Sequence, residues 1–223
     1  MSGPEDPERS LALSYAAAAA RPGLAALLAL DETLGQILRT TREPMVGQMR
    51  LTWWYEALRA LDDAPPPAQP VLQALAGDVV PRGVSGAALA AMIDGWEVLL
   101  EPDMLDRAML ESYAAQRGGA LFVQAGVLLG AGARDPLVEA GTGWALADLA
   151  RHSRDVAAAE LPRALAKHAL DAAFRSRWSG PARALGALAL TARMDLAETG
   201  EGGPPVTSPR RVARLAWHRI SGR

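Results

Sequence analysis

Charged side chains whose types and spacing could support chemistry gather at four places in this 223-residue chain. In the stretch GTGWALADLARHSRDV, Asp148 and His152 stand four residues apart and His152 and Asp155 three apart, so on a helix either pair can meet on one face. A hydrolytic or zinc site built on them would need a serine nucleophile motif or a second histidine at ligand spacing, and the sequence has neither. Asp62-Asp63 close a helical stretch beside three prolines, but no third ligand is spaced to complete a metal site with them. Asp31 and Glu32 interrupt the apolar segment LAALLALDETLGQILRTT. Arg50 falls inside the apolar arc of the next helix, where a guanidinium must find a carboxylate, a phosphate or an aromatic face, or extend its head to water. Asp31 or Glu32 would serve if the two helices are antiparallel neighbours, as the short Arg42-Glu43 connection allows.

The element that must position Arg50 is PMVGQMRLTWWYEALRAL, 44–61. Wound at 100° per residue, it places Met49, Trp53, Ala57 and Ala60 on one line with Trp54 and Leu61 beside them, and Gln48, Thr52, Tyr55 and Arg59 opposite. Pro44 suits the first helical position, where its missing N–H would have no partner. Further helices are predicted over 7–20, 24–41, 71–80, 85–100, 103–130, 136–158, 160–179 and 181–198. Gly118-Gly119, inside 103–130, cost a helix about 1 kcal/mol each, and close helix packing or a kink must offset them. The organisation expected is an N-terminal extension (1–10), one helical domain (11–198), a Gly/Pro-rich linker (199–205) and a basic amphipathic tail (206–223). That tail carries Arg210, Arg211, Arg214 and Trp217 and has no acid, a pattern suited to anionic membrane surfaces or acidic partners.

Half of the residues are hydrophobic while aromatics are only 5%, so alanine and leucine carry the core and an all-α protein is expected. A net charge of −2 offers no global attraction to nucleic acid. With no cysteine, disulfides, thiolate metal sites and cysteine nucleophiles are excluded. The opening MSGPEDPERS is acidic, the opposite of a secretory leader, and the apolar tracts 11–20 and 24–30 are too short for a bilayer of roughly 30 Å. A cytoplasmic protein, peripheral to the inner face of the membrane where it meets one, is the expectation.

The order of an acidic helix, EPMVGQMRLTWWYEALRAL, a proline loop, IDGWEVLL, YAAQRGGALFVQAGVLLG and GWALADLARHSRDV resembles the squalene/phytoene synthase family over 24–162. It is similar above all to the divergent branch that includes the mitochondrial respiratory complex I assembly factor. The resemblance implies a single-domain, all-α isoprenoid-synthase-like bundle around a central cavity. It also implies that active members hold two prenyl diphosphates through magnesium on two aspartate-rich helical motifs. Here the first motif's positions carry Gly35, Gln36 and Arg39. In the second, Arg154-Asp155 persists, Ala159 stands four residues after Asp155, and Asp148 and Arg151 replace the polar residues before it.

These departures lead to the expectation of a catalytically degenerate member that acts by binding, with no metal or other cofactor. Arg50, Trp53, Trp54 and Arg154 are then the ligand- or partner-binding candidates. The expected partner is a subunit or assembly intermediate of a respiratory complex, with an isoprenoid or lipid ligand and a peripheral membrane contact through the tail. The alternative is a prenyl-diphosphate transferase with an atypical Mg2+ site, whose catalytic candidates would be Asp31, Glu32, Arg154 and Asp155.

Overall fold

The computed structural model describes residues 7–100, 104–153, 155–197 and 208–223. Among the described residues the regular structure is helical throughout, as an alanine- and leucine-rich core requires. In chain order the helices are α1 (Pro7–Tyr15), α2 (Arg21–Thr40), α3 (Pro44–Ala60), α4 (Pro70–Asp78), α5 (Gly86–Ala90), α6 (Ile93–Glu97) and α7 (Arg107–Ala114). A π turn at Ala115–Gly119 joins α7 to α8 (Ala120–Leu129), followed by α9 (Leu137–His152), α10 (Val156–Ala173), α11 (Arg183–Ala197) and α12 (Pro209–Ser221).

Several boundaries differ from the sequence expectation, each for a local reason. The first helix stops at Tyr15, and Arg21-Pro22-Gly23 opens α2 instead of separating two helices, because proline is tolerated in a first turn. The 85–100 segment divides into α5 and α6. Helix α9 ends at His152 and α10 begins at Val156, and the Asp155 carboxylate accepts the Ala157 amide at 2.9 Å, so it caps α10, which then continues through Pro162. The 199–205 linker, Arg154 and residues 206–207 of the tail lie outside the described residues.

At the middle of the bundle, α9 packs against α7, α8, α10, α11 and the π turn. Close approach there rests on two glycines: a Cβ on Gly118 would lie 2.0 Å from the Gly141 carbonyl oxygen, and one on Gly141 would lie 2.1 Å from that of Gly118. Backbone meets backbone, which offsets the helix-propensity cost of Gly118. The π turn supplies the expected irregularity in the same place.

On α3 the buried face is Leu51, Trp54, Ala57 and Leu58, whereas Met49 and Trp53 point to solvent. The predicted apolar line was thus rotated away from the true one. Contact with α5 decides the phase: a Cβ on Gly86 would sit 2.2 Å from the Leu58 carbonyl oxygen, so the Leu58 side of α3 is pressed onto α5. Asp62 serves the same junction, accepting the amides of Gly86 (2.6 Å) and Ala87 (3.0 Å) at the start of α5. Among the described residues no helix is long and apolar enough to cross a membrane.

Candidate functional site

The centre of the bundle holds a guanidinium. Arg117, in the π turn, is 3% exposed. Its Nε donates to Asp31 Oδ1 at 2.8 Å and its Nη2 to Asp31 Oδ2 at 3.0 Å, a bidentate pair joining the π turn to α2. Nη1 reaches Asp148 Oδ2 of α9 at 2.8 Å and also donates to the Tyr113 hydroxyl. The rings of Trp96 and Trp144 have centroids 4.1 and 4.9 Å from the guanidinium carbon, so aromatic faces cover a cation whose polar edge is bonded.

The electrostatics follow from this pairing. Burial disfavours the charged guanidinium, yet Asp31, Tyr113 and Asp148 raise its pKa well above the usual arginine range. Burial would also raise the Asp148 carboxyl, but Arg117 and His152 outweigh it and hold the group well below the carboxylate range. Burial pushes the Tyr113 phenol up to about 12, so it remains a neutral hydroxyl. His152 stands at the outer end of α9 with its Nδ1 2.8 Å from the Asp148 carbonyl oxygen and 3.3 Å from Asp148 Oδ1. Its pKa is raised, first by hydrogen bonding to the Asp148 side chain, against a smaller lowering by burial.

Further ion pairs extend from this centre in both directions. Asp31 also meets Arg9 of α1 at 3.2 Å, Arg9 meets Glu32 at 3.3 Å, and Glu32 pairs with Arg39. On the other side Asp148 meets Arg151 at 3.1 Å, Arg151 meets Glu8 at 3.3 Å and Asp195 at 3.8 Å, and Asp195 pairs with Arg211 of α12. A cavity of about 20 Å³ lies beside this arm, lined by Glu8, Trp144, Asp148, Arg151 and Asp195. That is room for about one water. Arg117 and its partners themselves stand between α2, the π turn and α9.

The structure brings Asp31 and Asp148 together through Arg117, a residue that sequence reasoning passed over. One signal could have found it: Arg117 is the single charged residue between Glu111 and Arg134. The suggested pairing of Arg50 with Asp31 or Glu32 does not form. Arg50 is exposed and donates to the hydroxyls of Thr41 (2.9 Å) and Thr40 (3.4 Å) at the end of α2, while arginines 9, 39 and 117 occupy the acids. Of the adjacent tryptophans, Trp54 is buried in the core and Trp53 is 46% exposed, edge-on to it at 5.4 Å. Asp155 caps α10 instead of facing Asp31 or Glu32, and Arg154 lies outside the described residues. In the tail, Arg210, Arg214 and Trp217 face outward, whereas Arg211 turns inward to Asp195 because the helical winding puts it on the packed side.

The sequence model of squalene/phytoene synthase matches residues 4–220. The chain belongs to the squalene/phytoene synthase family. A crystal structure titled as that of a dehydrosqualene synthase in complex with ligand superposes with a TM-score of 0.74. The identity is 16%, over 97% of this chain and 91% of that one, a likeness that establishes the isoprenoid-synthase-like fold. No curated protein matches the chain in sequence.

The magnesium that the resemblance implies can be tested against the side chains of this family member. At position 35 of the first motif a Cβ would already lie 3.0 Å from the Trp96 ring, so a carboxylate has no room without repacking, and Arg39 is paired with Glu32. In the second, Asp155 caps α10 and Ala159 is buried. The acids that do reach the centre, Asp31 and Asp148, spend their oxygens on arginine. No group of three His, Asp or Glu side chains that could hold a metal ion forms among the described residues. This donor set does not fit a magnesium–diphosphate site, because a hard dication needs several unpaired oxygen ligands.

Proposed function

We propose that this squalene/phytoene synthase family protein works by binding a partner and does not transfer prenyl groups. The observation that carries the reading is Arg117. A permanently charged guanidinium sits between the acids of α2 and α9 and saturates both, in the space a diphosphate and its cations would need. Outside, α3 shows Met45, Met49 and Trp53 to solvent along one line at helical spacing. Together with Arg50, that line is the partner-facing side of α3.

An assembly intermediate of a respiratory complex is the partner that the resemblance suggests. Incubation with farnesyl or geranylgeranyl diphosphate and Mg2+ should release no diphosphate above the buffer rate. Release that Asp155→Ala abolishes would establish the transferase alternative instead. For the partner, affinity purification of the full chain from its own cells should recover respiratory subunits, and Trp53→Ser with Met49→Ser should lose them. Recovery undiminished by these substitutions would remove α3 from the interface.

A further inference from the structure

The last helix is packed with its polarity reversed. At 100° per residue, Arg211, Leu215 and His218 share one side of α12, and these are its buried residues. The opposite side carries Pro209, Val212, Ala213, Ala216, Trp217 and Ile220, all exposed. Val212, Trp217 and Ile220 are 54%, 55% and 73% exposed, large apolar side chains that an isolated globule would turn inward. Thus an arginine and a histidine lie against α11 and the Phe174–Trp178 rings, while the tryptophan looks out.

Arginines flank the outward stripe on both shoulders, Arg210 and Arg214 on one and Arg219 on the other, and all three are exposed. More positive charge stands at the helix end, where Arg177 donates to the Ser221 carbonyl and Arg183 to that of Arg219, each at 2.7 Å. The helix has no acid of its own. Among the described residues, Asp195 meets the helix from the inward side, in ion pairs with Arg211 and Arg151. Between α11 and α12 an open groove of about 650 Å³ runs past Met194, Arg210, Arg214 and Trp217, apolar along part of its wall and doubly cationic at its rim.

We infer that α12 docks flat on an anionic lipid bilayer. The stripe of Val212, Trp217 and Ile220 would enter the boundary between headgroups and acyl chains, where an indole is well placed, while the shoulder arginines reach the lipid phosphates. The groove would take an acidic headgroup between Arg210 and Arg214. Every side chain that this docking uses is already exposed, so α12 needs no unfolding to bind. The inference stands independently of whether the centre of the bundle is catalytic.

Co-sedimentation of the full chain with vesicles tests it. Phosphatidylcholine vesicles containing phosphatidylglycerol should pellet the protein, pure phosphatidylcholine should leave it in the supernatant, and added salt should weaken the binding. Arg210→Gln with Arg214→Gln should weaken the partition about thirtyfold. Trp217→Ser should weaken it by about tenfold or more. Because these side chains are exposed, thermal melting should be unchanged, which separates lost docking from lost folding. Equal sedimentation with both vesicle types, or binding that the substitutions leave intact, overturns the inference. So does failure to sediment together with a dimer in light scattering that Trp217→Ser dissolves, since the stripe would then be a contact between two copies of the chain.

Discussion

At the centre of the bundle and along α12 the usual division of apolar inside and charged outside is broken, but the two regions resolve it differently. Around Arg117 the reversal is closed: one cation is met by two carboxylates, a phenol and the faces of two indoles. On α12 it is half closed. Arg211 finds Asp195 on the inside, but Trp217 and Ile220 remain 55% and 73% exposed on the outside. A misplaced charge that its own fold neutralises is a structural device, whereas the apolar face that this fold leaves exposed is where we infer an interface. Substitution at the first should therefore cost stability, and at the second only binding.

The largest expected effect is at the closed reversal. Arg117→Met removes the buried partner of both Asp31 and Asp148, leaving Arg9 to the first and Arg151 and His152 to the second, and should cost about 3 kcal/mol in urea unfolding. Adding Asp31→Asn and Asp148→Asn to that variant should restore part of the loss, and no recovery would mean that Arg117 matters for its shape and not its charge. Next, Gly118→Ala should cost about 3 kcal/mol by forcing α9 away from the π turn, a contact neutral in charge that calibrates packing against electrostatics.

A smaller, pH-dependent effect follows from the two shifted groups of α9. Asp148 is held below its ordinary value of 3.8, so its contribution is complete above that value and is lost as the pH falls beneath it. For His152 the sign is opposite: its raised pKa favours the fold below about pH 6.5, and that contribution fades as the pH rises through the folded value. Melting temperatures of His152→Gln and the parent should accordingly differ most in mildly acid buffer and converge above neutrality. Smallest of all, Trp217→Ser should move stability by less than about 0.5 kcal/mol. A larger loss would show that α12 closes its reversal within the fold after all.

Much of the fold was legible because it rests on repeated local signals. The Ala/Leu composition specified helices, the paired glycines announced a close approach, and Arg-Leu-x-Trp-Trp marked the family. The centre was harder to read because its acids and its arginine lie far apart in the chain, Asp31 and Arg117 being 86 residues apart. Nothing local to LAALLALDETLG reveals that Asp31 is buried, and helical spacing around His152 rightly gave Asp148 as a neighbour but also Asp155, which lies beyond the end of α9. The phase of α3 was misjudged for a related cause. This helix exposes Met45, Met49 and Trp53, so a rule that turns such residues inward selects the wrong side.

The run of ion pairs from Arg39 through Arg117 to Arg211 also sets an order of release. Arg39–Glu32 is open to solvent and Arg151–Glu8 is open at its arginine, whereas Arg117–Asp31 is dry. Dissolved ions weaken the former far more than the latter. Rising ionic strength should therefore loosen the grip on α1 while α9 holds, so that amide exchange would spread inward from α1.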